Sequence, residues 1–264
     1  MVRTLFKYLS LWFLLSKYSF LVALTSRFGA VIFLLGKILR FLIQTFFIYI
    51  LISRTKVFAG YTLSQAFLFY LIFNLIDTTT QFLYREVYRF RPQIVSGSFD
   101  LTLAKPVNPL FKSLLGGADL LDLLMLIPFL LLIFYFIRET LIFNLSNFIP
   151  FFALLFNSFL IATSFHIFVL ALGVLTTEID HTIMIYRDLS SMARFPIDIY
   201  REPLRFFLTF ILPIGVMMTF PAKALLGLLS IKGVISSFLI GGLLFIGSLK
   251  LWNYSLSKYS SASS

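Results

Sequence analysis

Few side chains in this apolar sequence are suited to chemistry. The two histidines, His166 and His181, stand fifteen residues apart rather than at the i, i+4 spacing that sets two imidazoles on one metal, and there is no cysteine. Neither a zinc site nor thiolate catalysis is expected. Gly29 and Gly36-Lys37 are separated by six residues and followed by Ile38, whereas a phosphate-binding loop needs four and then Ser or Thr. Ser158 and Ser164 lie in an apolar run without a base and orienter, so each hydroxyl is expected to bond the carbonyl one turn back. Asp119 and Asp122 share a helical face as an acid pair would. They open an apolar run, however, where negative charge complements a helix N-terminus. No enzyme active site is expected.

Ionisable residues inside the apolar runs carry more information, because a charge facing lipid costs at least a few kcal/mol and belongs beside a cavity or a partner. Lys37 and Arg40 are three apart and share a face of the first run. Asp77 lies six residues from the end of the antiparallel second run, and Lys37 nine from the start of the first. At about 1.5 Å per residue their depths differ by roughly 5 Å, so a Lys37–Asp77 ion pair is geometrically possible. Arg40 then lacks an obvious partner. Two readings stand: Arg40, alone or with Lys37, lines a translocation pathway and attracts an anionic headgroup, or the run starts late and both cations snorkel to the interface.

The elements that position these residues follow from composition. Of 264 residues, 59% are hydrophobic, 18% aromatic and 12% charged, which excludes an ordinary soluble domain. At about 20 apolar residues per crossing, about six helices use roughly half of the chain and leave no room for a soluble catalytic domain. The expected fold is all-α and integral to the membrane, one domain over residues 1–264, with spans at Phe28–Ile52, Tyr61–Leu83, Asp119–Ile137, Phe148–Thr176, Leu204–Phe220 and Gly233–Tyr254. The fifth is short and carries Pro213; residues 221–229 after it are apolar for only half a bilayer and read as a short re-entrant or interfacial helix.

Flanking cations orient the bundle. Arg3, Lys7, Lys17 and Arg27, then Arg85, Arg89, Arg91, Lys105 and Lys112, then Arg187, Arg194, Arg201 and Arg205, and finally Lys250 and Lys258 fall on one side. Arg54, Lys56, Arg138, Lys223 and Lys232 fall on the other. Fifteen against five predicts both termini in the cytoplasm. The net charge of +11 is thus accounted for by topology and anionic lipid, and no nucleic-acid partner is inferred.

Residues 1–25 read as an amphipathic helix in the cytoplasmic headgroup layer, since Arg3, Lys7, Ser10 and Lys17 form a narrow wedge broken only by Leu14; an uncleaved extension of span one is the alternative. The loop 91–109 is bracketed by Pro92, Pro106 and Pro109 and can form at most a couple of helical turns. Within it Ile94, Val95, Phe99, Leu101 and Leu103 are expected to expose apolar groups between basic flanks and Asp100, as a docking site for a cytosolic protein would. A loop folded back on the membrane surface is the competing reading.

With that loop in view, the chain resembles the permeases of the ABC type-2 exporter family, in the subgroup whose six-span permeases are encoded apart from their ATPase. The resemblance runs over nearly the whole length. It is carried by Ile94-Val95-Ser96-Gly97-Ser98-Phe99-Asp100, Leu103 and Lys105-Pro106-Val107-Asn108-Pro109-Leu110. Arg194-Phe195-Pro196 with Tyr200, Ile211-Leu212-Pro213-Ile214, Phe220-Pro221-Ala222 and Leu225-Leu226-Gly227 follow in order. It implies a connecting helix over 1–25, a coupling helix within 91–109 and short re-entrant helices between spans five and six. It also implies a bacterial inner-membrane location and a complex of two cytosolic ATPases, which bind ATP and Mg, with a second permease, identical or related. Ile94, Val95, Ser96, Gly97, Phe99, Asp100 and Lys105 would contact the ATPase subunit; Lys37, Arg40, Asp77, Phe206, Phe207 and Phe210 would lie near the substrate pathway. Cations in the middle of span one are not a defining feature of that family. A stand-alone secondary transporter or channel is the alternative, disfavoured by the lack of paired broken helices or an inverted repeat.

Overall fold

A computed structural model describes residues 2–55, 59–140 and 145–260; Lys56, one of the cations counted above, lies outside them. In chain order the helices are α1 (Val2–Thr25), α2 (Arg27–Thr55), α3 (Leu63–Leu83), α4 (Phe90–Val95), α5 (Ser98–Leu103), α6 (Pro109–Leu115), α7 (Leu120–Thr140), α8 (Leu145–Thr176), α9 (Ile179–Met192), α10 (Leu204–Phe206), α11 (Ile214–Met218), α12 (Phe220–Leu225) and α13 (Ile231–Lys258). No strand occurs among the described residues. Among the described residues six helices are long and apolar enough to cross a membrane: α1, α2, α3, α7, α8 and α13. The expected number is met, but its membership differs.

Span five is the difference. Residues 204–220 do not form one helix: α10 widens into a π turn over Phe207–Ile211, and the chain breaks at Leu212 before Pro213, which has no amide hydrogen to continue the ladder. The chain crosses earlier. α9 folds back along α8 from Thr176, burying Ile179, Ile183, Tyr186 and Ser190 on one stripe, and its 14 residues rise about 21 Å. Residues 193–199 complete the passage, for Asp198 accepts a hydrogen bond from the Tyr61 hydroxyl (2.9 Å) beside the start of α3 and pairs with Lys223 (2.7 Å). Arg187 and Arg194, assigned above to a cytoplasmic loop, therefore lie within the bundle, and Arg201 and Arg205 lie at the end where α3 begins. The cation bias toward the end carrying α4–α6, called here the loop end, is reduced but keeps its sign.

Residues 200–230 leave and return at the far end, and the stretch 221–229 expected to be re-entrant falls within this longer excursion. α11 and α12 are buried against α8, and Gly227 (φ +69°) turns the chain beside Asn147. α8 and α13 form the most extensive helix–helix contact, through a seam of small buried residues: Ser237, Gly241, Ser248 and Ser255. Asn157 on α8 donates to the Ser237 carbonyl (2.9 Å), and a methyl group on Gly241 would sit 2.1 Å from its amide oxygen.

α1 covers the span assigned to it and crosses the loop end. The Tyr8 hydroxyl accepts from the Asn108 amide (3.2 Å), Trp12 meets Phe82 edge-on, and Arg89 donates to Ser19 (3.3 Å). Lys7, Ser10 and Lys17 are exposed together.

Candidate functional site

Folding gathers four cations and two acids between the helices: Lys37, Arg40, Arg187 and Arg194 with Asp77 and Asp122. Lys37, Arg40 and Gln44 occupy successive turns of α2; Tyr70, Asn74, Asp77 and Gln81 occupy successive turns of α3. Together with Asp122 at the start of α7 and Arg194 after α9 they line a cavity of about 80 Å³. Along α3 the lining runs from roughly 3 Å (Gln81) to roughly 20 Å (Tyr70) inward of the helix end at Leu83. Its deep end at Tyr70 lies well within a bilayer whose hydrocarbon is about 30 Å thick.

Lys37 does not pair with Asp77. Its ammonium donates to Asp122, which is almost fully buried. Depth matching along two helices cannot fix azimuth: α7 packs against both α2 and α3 and brings Asp122 to Lys37, whereas the Asp77 carboxylate accepts from Gln81 (2.7 Å). The Gln81 amide oxygen accepts in turn from Arg187 (2.8 Å), which also reaches the Tyr88 hydroxyl (3.5 Å). Arg194 donates to Gln44 (3.4 Å) and lies over the Phe73 ring. Arg40 is exposed at the mouth of the cavity. Among the described residues neither Arg40 nor Arg194 forms an ion pair with a carboxylate, so the cluster carries two cations more than acids.

Asp119 behaves as a helix N-terminal carboxylate: it accepts from the amides of Leu121 (2.8 Å) and Asp122 (3.3 Å) and pairs with Arg85 (3.2 Å). Ser158 and Ser164 bond the carbonyls of Leu154 and Leu160 one turn back, as expected.

Phe206, Phe207 and Phe210 are not brought to this cavity. They are exposed at the far end, where Phe206 and Phe210 flank a separate cleft with Glu202, Arg205 and Lys223. Their segment does not cross the bundle, which removes the basis for placing them with Lys37, Arg40 and Asp77.

At the loop end, α4 and α5 are short helices joined through Ser96 and Gly97, whose φ of +70° suits glycine. The five apolar residues expected to be exposed divide by face. Val95, Leu101 and Leu103 are exposed, as are Ser96 and Lys105; Ile94 and Phe99 are buried in the chain's own core. Phe99 sits among Phe90, Tyr259 and Trp252, with ring centroids 5.1, 5.3 and 6.5 Å away. Asp100 is half-buried and accepts from the Tyr259 hydroxyl (2.9 Å), whose pKa is pushed up to about 12 by burial and by that carboxylate. Glu86, in the turn before α4, is pushed above the usual carboxylate range by burial, against the opposing effects of Gln93 and Arg89.

The fold is a polytopic helical bundle with a charged cavity between its helices, which places the chain in the class of integral membrane proteins. Residues 38–263 match the family model described as "ABC-2 family transporter protein", and the chain belongs to that family. Its members are the membrane component of ABC transporters, have no ATPase site of their own and imply an ATPase partner. No curated protein and no solved structure matches the chain. The family match begins within α2, so α1 stands outside it.

Proposed function

We propose that this chain is the permease subunit of an ATP-driven exporter, moving an amphipathic or lipid-like substrate out of the cytoplasm or inner leaflet of a bacterial inner membrane. Two cytosolic ATPases bind ATP and Mg and supply the energy; a second permease, identical or related, completes the pathway. The observation that carries this reading is the division of α4 and α5 into two faces. Ile94 and Phe99 fasten the pair to α13 through Trp252 and Tyr259, while Val95, Leu101 and Leu103 stand out beside Lys105. An exposed apolar knob on a rigid seat suits a protein that pushes, because displacement of the knob displaces the seat.

The loop end then faces the cytoplasm, where Lys7, Lys17, Arg89, Arg91, Lys105 and Lys112 meet anionic lipid. α1 lies in that headgroup layer as the connecting helix. From the turn that leads into α4 a hydrogen-bonded chain, Tyr88–Arg187–Gln81–Asp77, leads to the cavity, so movement at the loop end reaches the charged residues through α9.

The test is copurification of the tagged chain from its native membrane with an ATPase assay on the eluate, using Val95→Ser with Leu101→Ser. The wild type brings down a soluble ATPase and the double variant loses it, with thermal stability unchanged. A protein that elutes alone without nucleotide hydrolysis overturns the exporter reading and favours a stand-alone transporter.

A further inference from the structure

We infer that the cavity binds the oxyanion of an anionic amphiphile held in the bilayer, with Arg40 and Arg194 as its ligands. As a statement about cargo this rests on the exporter reading; as a statement about a binding site it does not.

Two guanidinium groups line this cavity and neither forms an ion pair with a carboxylate among the described residues. Asp122 is paired with Lys37, and Asp77, hydrogen-bonded to the neutral Gln81 amide, is shared electrostatically between Arg40 and Arg194, so the lining sets three cations against two acids. A charge away from water is retained when it meets an opposite charge, and the planar fork of arginine matches the oxygens of phosphate or carboxylate. Gln44 adds to the donor set. Its amide oxygen is taken by Arg194, which leaves its amide hydrogens to donate.

The surroundings select an amphiphile over a free ion. Arg40, the exposed member of the lining, lies on the outward face of α2, and Ile43 and Phe47 are exposed on the next turns of that helix. An oxyanion seated between the arginines leaves its apolar tail along those side chains. The cavity is polar inside and small, so the headgroup enters it and the tail does not.

The experiment is native mass spectrometry of the delipidated full-length protein in detergent, titrated separately with dioleoyl phosphatidylglycerol, dioleoyl phosphatidylcholine and inorganic phosphate. The wild type binds phosphatidylglycerol about tenfold more tightly than phosphatidylcholine, whose phosphate is the same but whose choline ammonium is repelled by the two guanidinium groups, a difference of about 1.4 kcal/mol. Arg40→Gln with Arg194→Gln abolishes the difference, and the two Arg→Lys changes retain part of it. Arg40→Gln alone, at the exposed mouth, reduces the preference several-fold and serves should the double variant not fold. Equal binding of the two lipids by the wild type, or a preference that survives Arg40→Gln and the double change alike, overturns the proposal. Inorganic phosphate binding as tightly as the lipid also overturns it, since the ligand is then a free anion. No ATPase enters this assay: an arginine-dependent lipid preference in a chain that elutes without an ATPase upholds the site while the exporter reading fails, and the converse pattern does the reverse.

Discussion

Changing Asp122 to asparagine tests the charge balance inside the bundle. The Asp122 side chain is 4% exposed and that of Lys37 30%, and the acid is the only carboxylate paired with Lys37 among the described residues. Without it the ammonium faces Arg40 one helical turn away. Removing one partner of a buried pair costs about 3–5 kcal/mol. Lys37 keeps some exposure and can draw its head group toward the loop end along its flexible stem, which lowers the expected loss to about 2–3 kcal/mol. For a chain of this size each kcal/mol moves the thermal midpoint by about 2–4 °C, so Asp122→Asn is expected to lower it by about 5–10 °C. Lys37→Met should be at least as damaging, because the orphaned carboxylate is the more enclosed group. The double variant removes both charges and should recover most of the loss, giving a coupling energy of about 1.5 kcal/mol or more. Thermal unfolding of the four proteins in one detergent provides the cycle. Single losses that simply add in the double variant, within about 0.5 kcal/mol, would refute the pairing and the charge balance built on it.

Three further outcomes follow from particular contacts. Tyr259→Phe removes the hydroxyl held by Asp100; hydrogen exchange across residues 98–103 should quicken by about tenfold, the effect of about 1.4 kcal/mol, while the global midpoint changes little. Glu86→Gln should stabilise the protein near neutral pH. Burial raises the folded-state pKa of Glu86, so its favourable contribution is present while the carboxyl is protonated and is lost as pH rises through that raised value. The advantage of the variant should therefore vanish below about pH 4, and midpoints measured from pH 4 to 8 check the sign. Gly241→Leu drives a side chain into Asn157 and should separate α13 from α8, abolishing monodisperse protein on gel filtration, whereas Gly242→Leu, with open space around its Cβ position, should be tolerated.

Much of the architecture is legible because hydropathy and helix length are local properties: five long spans fall where the apolar runs place them, and α1 covers the residues marked by the wedge of Lys7, Ser10 and Lys17. The fifth crossing was not legible for the same reason. α9 carries Asp180, His181, Arg187 and Asp188 and reads as a loop, yet Asp180 pairs with Arg91 and Arg187 turns inward to Gln81. The signal that marks it is the stripe Ile179, Ile183, Tyr186 and Ser190, a helical period without high hydropathy. The cavity was half legible. Lys37, Arg40 and Asp77 stood out as charges in apolar runs, but Arg194 did not, having been assigned outside the membrane. For α4 and α5 the prolines marked the element, while the facing of Phe99 depends on Trp252 and Tyr259, more than 150 residues later, and no periodicity within six residues reveals it.

The Lys37–Asp122 pair joins residues 85 positions apart, and this separation bears on how the protein is made. α2 leaves the ribosome with Lys37 long before α7 exists, so it enters the bilayer carrying a charge whose pairing acid has not been synthesised. Each such charge opposes insertion by up to about 3 kcal/mol, offset by the apolar residues around it. Stable seating of the first crossing helix therefore awaits the third. Chains truncated between residues 100 and 115 should hold α2 less securely in the membrane than chains extended past residue 140, which glycosylation-site mapping of nascent chains would read directly.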